Sequence, residues 1–338
     1  MTAAALVWFQ FGLCVLLIGV AGTQLSRYGD VIADKTGLGG TWIGVVLLAT
    51  VTSLPELITG VSAVTVAGTP DIAVGDALGS CVFNLLIITL LDFLQRGESV
   101  YTRAGQGHIL AAGFGVILIG FVGLNVLLAG NGMAPALGHV GLSTPVIVVL
   151  YLVAMRTVFR YERARMAAYT GERAERYPGV TLRQAATRYA VAAAVVVAAG
   201  VWLPFVGVAL ARVMGWEQTF VGTLFVAFAT SVPEIVVTVA ALRLGALDLA
   251  IGNLFGSNLF DILIIAVDDL FFLRGPLLAH VSPVHAVTAL TAVMMTGVTV
   301  VGLLYRPRTR VLRTVGWASL FLLLLYLLNA AVLYLYRH

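Results

Sequence analysis

A short polar segment occurs twice inside apolar sequence, and the second copy lies five apolar runs beyond the first. Thr-Ser-Leu-Pro-Glu at 52–56 returns as Thr-Ser-Val-Pro-Glu at 230–234. Between 41–56 and 219–234 the offset is a constant 178, and Thr41, Gly44, Ala49, Thr52, Ser53, Pro55 and Glu56 are identical in the second copy. After one gap the offset becomes 177, where 71–84 matches 248–261 at six of fourteen positions. Asp92 and Asp269 also correspond. Carboxylates are costly at membrane depth, so a chain that keeps them twice has a use for them.

The setting is a membrane. The 338 residues are 60% hydrophobic and 11% charged, with mean hydropathy +1.01. Long uninterrupted apolar runs predict an all-α membrane protein rather than a barrel, whose strands alternate every second residue. Ten spans are expected, near 4–24, 41–67, 71–94, 107–129, 139–159, 188–213, 219–242, 248–272, 279–304 and 311–336. The first has no basic segment before it and reads as an uncleaved span. The only two cysteines, Cys14 and Cys81, both fall in apolar runs and make no disulfide framework or metal spacing.

Charge orients the bundle. Loops after the odd-numbered spans hold 17 of the 20 basic residues, leaving Arg212, Arg274 and Arg337 for the other side. That asymmetry predicts cytoplasmic odd loops and both termini outside. It also accounts for the pI near 9.2 without nucleic acid. The polar stretch 160–187 reads as a solvated cytoplasmic linker between an N-terminal half, 1–159, and a C-terminal half, 188–338. The repeats occupy 41–94 and 219–272. Starting five spans apart, they run through the membrane in opposite directions, giving two inverted five-helix repeats with a site expected at their interface.

Within each repeat the polar groups share faces. Ala49, Thr52, Ser53 and Glu56 are spaced i, i+3, i+4, i+7, as are Ala227, Thr230, Ser231 and Glu234. Asp76, Ser80 and Asn84 form an i, i+4, i+8 stripe, matched by Asn253, Ser257 and Asp261. Pro55 and Pro233 break the i−4 hydrogen bonds to Val51 and Ala229. Gly75, Gly79, Gly252 and Gly256 are expected to loosen the following span. The donors are all oxygen, which suits Na⁺ and Ca²⁺ and not zinc or copper. Glu56, Glu234 and Asp261 carry three charges, and competition between Ca²⁺ and Na⁺ for one anionic site is a physical basis for exchange.

These segments resemble the two α-repeats of the cation/calcium exchanger superfamily, and the sodium/calcium exchangers in particular, with Gly-Thr-Ser-x-Pro-Glu followed by Gly-Asn-x-x-Gly-Ser-Asn-x-x-Asn/Asp. The resemblance covers both repeats and the ten-span layout. It implies Glu56 and Glu234 as central ligands, with Asn84 and Asp261 completing the quartet. It implies one flanking cation site from Thr52, Ser53, Ser80 and the Ala49 carbonyl. A second would use Thr230, Ser231, Ser257 and the Ala227 carbonyl. Spans 1 and 6 would slide past the core to alternate access. The chain departs from the pattern at Val51 and Ala229, where the family has Gly, and at Asp76, where it has Asn. Asn84 stands where potassium-dependent relatives carry Asp, which argues against potassium dependence.

The expected function is therefore a secondary Na⁺/Ca²⁺ antiporter of the bacterial inner membrane, not an enzyme. It needs no cofactor, its partners are Na⁺, Ca²⁺ and the lipid bilayer, and a monomer is the simplest assembly. An H⁺/Ca²⁺ antiporter of the same fold is the nearest alternative, and a channel is another. Gly75-Asp76 is half of an intramembrane aspartyl protease signature, but residue 73 is Ala and no partner aspartate has a matching motif. Competing structural readings accompany the site: helix-packing contacts for Ser80, Asn84 and Ser257, an external vestibule for Asp76, and solvated or capping span ends for Asp92 and Asp269. His280 and His285 read as membrane-interface residues.

Overall fold

The apolar runs form helices because a helix satisfies its own backbone where no water can. The structure is a computed structural model and describes residues 3–35, 49–95, 98–105, 107–166, 177, 179–306, 310–311 and 315–336. The long helices are α1 (Ala3–Lys35), α3 (Pro70–Leu94), α5 (His108–Gly130), α6 (Ser143–Met166), α7 (Leu182–Met214), α11 (Leu247–Phe271), α12 (His285–Tyr305) and α13 (Trp317–Leu335). Each has an apolar stretch long enough to cross a bilayer. The shorter helices are α2 (Leu54–Ser62), α4 (Val100–Arg103), α8 (Gln218–Val221), α9 (Ala227–Thr230) and α10 (Val232–Arg243).

Eight described helices are thus candidate spans, and 218–243 makes a ninth, bent by 46° at its break. The expected second span, 41–67, begins in residues outside the described set, and its later part is the apolar helix Leu54–Ala67. At the edges of the expected 160–187 linker, α6 continues to Met166 and α7 begins at Leu182. A capping box at Thr181 and Gln184 starts α7. Residues 167–176 and 178 of that linker lie outside the described residues.

Both proline segments break where the sequence places them. Ser53 (φ −88°, ψ 13°) and Ser231 (φ −84°, ψ 6°) leave helical geometry at equivalent positions, and helices α2 and α10 restart one residue later with proline in the first turn. In the second half a π-helical turn, Gly222–Val226, precedes the break.

The glycines of the following spans act otherwise than expected. Helices α3 and α11 run unbroken for 25 residues each. Gly75 and Gly79 instead let α3 lie against the π-turn backbone. A Cβ on Gly79 would press into the Thr223 carbonyl and lie 2.8 Å from both Thr223 Cα and Ala227 Cβ. Gly79→Val is therefore expected to cost about 3 kcal/mol or more, because backbone cannot move aside as a side chain can. Its unfolding midpoint in detergent, set beside that of Gly113→Val, where a Cβ meets nothing within 4 Å, checks this.

Helices α1 and α7, 33 residues each, pack together through Ala21, Leu25, Ala192 and Val196, and further along through Tyr28, Val31 and Ala185. Each also meets a proline-broken segment of the opposite half. A Cβ on Gly22 would strike Pro233, and one on Gly200 would lie 2.9 Å from Ile58 Cγ2.

Buried aspartates tie the halves together reciprocally. Asp92 accepts from Val100 N (3.1 Å) and Ser99 Oγ (2.8 Å) in its own half, and from Gly316 N (2.7 Å) and Ser319 Oγ (2.9 Å) in the other. Asp269 accepts from Leu277 N (2.6 Å) in its own half, and from Gly141 N (2.9 Å) and Thr144 Oγ1 in the other. Gly141 and Gly316 end two short antiparallel strand pairs, 136–137 with 140–141 and 310–311 with 315–316, the second strands of which lead into α6 and α13. A second pair of contacts follows the same exchange. Asp71 accepts from Ser282 N (2.7 Å) and meets His285 Nε2 (3.0 Å), while Asp248 accepts from Gly105 N (2.7 Å) and meets His108 Nε2 (2.9 Å). Asp92 and Asp269 lie near the ends of their spans as expected, but are buried rather than solvated, at 0% and 3% exposure. His285 is buried too, against the interface reading, because Asp71 holds it.

Candidate cation-binding site

The two broken segments face each other through their first polar turns. Ser53 Oγ donates to Glu234 Oε1 (3.3 Å), and Ser231 Oγ donates to Glu56 Oε1 (3.3 Å). Each glutamate is thus held by the serine of the opposite copy. Both are 1% exposed, and the second oxygen of each, Oε2, has no hydrogen-bond partner.

Helices α3 and α11 cross beside them. Asn84 Nδ2 donates to Asn258 Oδ1 (3.0 Å) and to Asp261 Oδ2 (3.4 Å). Asn258 in turn donates to the Cys81 carbonyl (3.3 Å), and the Cys81 thiol lies 3.8 Å from Asp261 Oδ2. These contacts fix the Asn84 and Asp261 rotamers. They leave Asn84 Oδ1 and Asp261 Oδ1 without partners, both side chains being 1% exposed. Each member of the central quartet therefore keeps one unpartnered buried oxygen. Glu234 lies in the field of Glu56 and Asp261, and among the described residues no three acidic, His or Cys side chains form a ready-made metal cage.

The hydroxyls flank this centre. Thr52 Oγ1 donates to the Ala49 carbonyl (3.0 Å) and lies 3.4 Å from Ser257 Oγ. Ser231 Oγ lies 3.1 Å from Ser80 Oγ. Thr230 Oγ1 is 3.2 Å from the Ala227 carbonyl and 3.1 Å from that of Val226. The carbonyls of Ala49 and Ala227 also accept from Ser53 N (3.1 Å) and Ser231 N (3.0 Å). All the residues singled out from the sequence are thus buried in one region, on four segments.

Three features differ from the sequence reading. The expected flanks are crossed, since Ser257 stands beside Thr52 and Ser80 beside Ser231, each serine of α3 or α11 meeting the broken segment of the other half. Asp76, expected near a vestibule, is 1% exposed, and its Oδ1 accepts from Thr230 Oγ1 at 2.8 Å. The Gly75 and Gly79 contacts bring the second half up against that face of α3. Asp268 was not singled out because it falls outside the repeat match, Leu91 standing at the equivalent position. It is fully buried with neither carboxylate oxygen partnered, and Gly60 admits it, since a Cβ there would lie 2.5 Å from Oδ2.

A membrane bundle with this broken-helix, all-oxygen site is the architecture of a cation antiporter. The family model for the sodium/calcium exchanger protein matches residues 6–160 and 186–335, and the chain belongs to that family. The inner membrane protein YrbG of Escherichia coli is 27% identical over 265 residues, covering 74% of this chain and 75% of the relative. The sodium/calcium exchanger MaX1 of Methanosarcina acetivorans is 26% identical over 298 residues, covering 76% and 82%. Among solved structures, the H⁺/Ca²⁺ exchanger CAX superposes with a TM-score of 0.69 at 14% identity, covering 98% of this chain and 86% of that one, a likeness of fold. The chain is a multi-pass integral membrane antiporter of this family.

Proposed function

We propose that the chain exchanges Na⁺ for Ca²⁺ across the membrane by alternating access. Four unpartnered buried oxygens carry the reading, one each from Glu56, Glu234, Asp261 and Asn84. Burying carboxylates without counter-charge costs several kcal/mol per ion, so the centre favours a cation. Ca²⁺ takes six to eight oxygens, which these four and a subset of the surrounding neutral donors would supply. Those donors are the hydroxyls of Thr52, Ser53, Ser80, Thr230, Ser231 and Ser257 and the carbonyls of Ala49 and Ala227. Na⁺ competes for the same oxygens. An empty centre carries uncompensated charge and crosses poorly, which couples the two fluxes.

The architecture that goes with this is ten spans in two inverted halves, 1–159 and 188–338, with the linker 160–187 in the cytoplasm and both termini outside. The reciprocal contacts of Asp92 with Asp269, and of Asp71 with Asp248, support a two-fold relation between the halves. Helices α1 and α7 are the moving pair, since each meets a broken segment at a glycine. The placement is the bacterial inner membrane, in line with the name of the Escherichia coli relative, and no cofactor is required.

The likeness to the H⁺/Ca²⁺ exchanger CAX supports proton coupling as a second reading. Flux separates the two. In proteoliposomes, ⁴⁵Ca²⁺ uptake is expected to follow an outward Na⁺ gradient at equal pH. Uptake that ignores Na⁺ and follows a pH gradient would sink Na⁺ coupling and leave the proton-coupled reading.

A further inference from the structure

The family pattern has Asn at position 76, and the repeat keeps it in one copy only. Asp76 and Asn84 on α3 correspond to Asn253 and Asp261 on α11. Each half therefore brings two carboxylates, Glu56 with Asp76 and Glu234 with Asp261, but the aspartates stand at opposite ends of the matched stripes. Eight residues separate the two positions, about 12 Å of helix. The charge is thus distributed unequally between the two flanks of the centre.

The surroundings of Asp76 are rich in acceptors. Thr230 Oγ1 has three oxygens within 3.2 Å: Asp76 Oδ1, the Val226 carbonyl and the Ala227 carbonyl. One hydroxyl proton can point at only one of them. Asp76 Oδ2 has no partner in the buried interior, and Glu56 is near enough to act on it electrostatically. At the equivalent place in the other repeat stands Asn253, 1% exposed, with neither amide atom partnered.

We propose that Asp76 is a cation ligand of the Thr230 flank, and that its charge makes this flank the tighter of the two monovalent-cation subsites. The ligands on the page are the Asp76 carboxylate, the Thr230 hydroxyl and the carbonyls of Val226 and Ala227, a set suited to Na⁺. Carbonyls at a helix break are the kind of donor that holds Na⁺ in transporters. The assignment raises the carboxylate count of the centre from three to four. It rests on the cation-exchange reading above and adds a residue to it.

The test is calorimetric titration of purified protein with Na⁺ alone and with Ca²⁺ alone. D76N is expected to weaken Na⁺ binding by about tenfold, because affinity follows the charge of the ligand set. Ca²⁺ affinity, set by the quartet, should move by less than about threefold. D76N/N253D moves the carboxylate to the other flank and should recover most of the Na⁺ affinity. If D76N fails to fold, D76S makes the same comparison. Na⁺ affinity within about twofold of wild type in the variant, or equal loss of both ions, overturns the assignment. Wild-type protein that binds neither ion would instead overturn the exchange reading itself, so the two failures are distinct.

Discussion

Replacing Glu56 or Glu234 with Gln is expected to reduce Ca²⁺ exchange by about a hundredfold or more while leaving the protein folded. Removing one member of a buried charge pairing costs about 3–5 kcal/mol, and each 1.4 kcal/mol is tenfold in affinity. Gln matches Glu in shape, so the Ser231 and Ser53 hydroxyls keep an oxygen to donate to. Its amide nitrogen falls where Glu56 Oε2 or Glu234 Oε2 stands, and an N–H there opposes a cation. Without ions, the variants should melt at or above the wild-type temperature, since a buried amide costs less than a buried carboxylate. Adding Ca²⁺ should raise the wild-type melting temperature and not that of the variants, because binding stabilises only the state that binds. Either variant exchanging within tenfold of wild type would show that these oxygens do not hold the ion.

Much of this site was legible in the sequence because polar residues cost so much in apolar surroundings. Thr52, Ser53, Glu56 and their copies stand out in a chain that is 60% hydrophobic. The prolines located both breaks to within two residues, at Ser53 and Ser231. The spans flanked by turn residues were also well bounded, 71–94 against Pro70–Leu94 and 248–272 against Leu247–Phe271. The first and sixth spans were drawn too short, since α1 and α7 continue as amphipathic helices beyond the apolar run. Pairing between distant segments was harder to read. Spacing puts Asp76 on the face of Ser80 and Asn84, but says nothing of the π-turn that approaches α3 at Gly75 and Gly79. The same glycines read as helix-looseners, because a sequence shows a missing Cβ without the backbone that takes its place. Asn258 and Asp268 stand opposite Cys81 and Leu91, so identity between the repeats gives no sign of them.

The aspartates that brace the bundle offer the largest expected effect on stability. Asp92 takes two donors on each oxygen: Ser99 Oγ and Val100 N on Oδ1, Gly316 N and Ser319 Oγ on Oδ2. Asp92→Ala strands two backbone N–H groups in a buried position. Each stranded group costs about 1–3 kcal/mol, and the two hydroxyls lose a charged acceptor besides, for a total of about 3–5 kcal/mol. Asp92→Asn should recover only part of this, because whichever oxygen becomes NH₂ turns a hydrogen toward a backbone N–H, that of Val100 or of Gly316, which cannot turn away as the serine hydroxyls can. The same reasoning applies to Asp269, whose donors are Leu277 N, Gly141 N and Thr144 Oγ1. Changing the exposed Glu217 to Gln should alter stability by less than about 0.5 kcal/mol. Denaturant unfolding of D92A, D92N and D269A in detergent reads the difference. Midpoints that match Glu217→Gln would mean that the strand pairs and the two halves are held without these carboxylates. Because each aspartate binds both halves, D92A should loosen the pairing of 310–311 with 315–316 and the start of α13. D269A should loosen the 136–141 hairpin and the start of α6. Faster amide exchange in both halves, around Val100 and Gly316 for D92A and around Leu277 and Gly141 for D269A, is the signature of a reciprocal brace, and exchange confined to the aspartate's own half would contradict it.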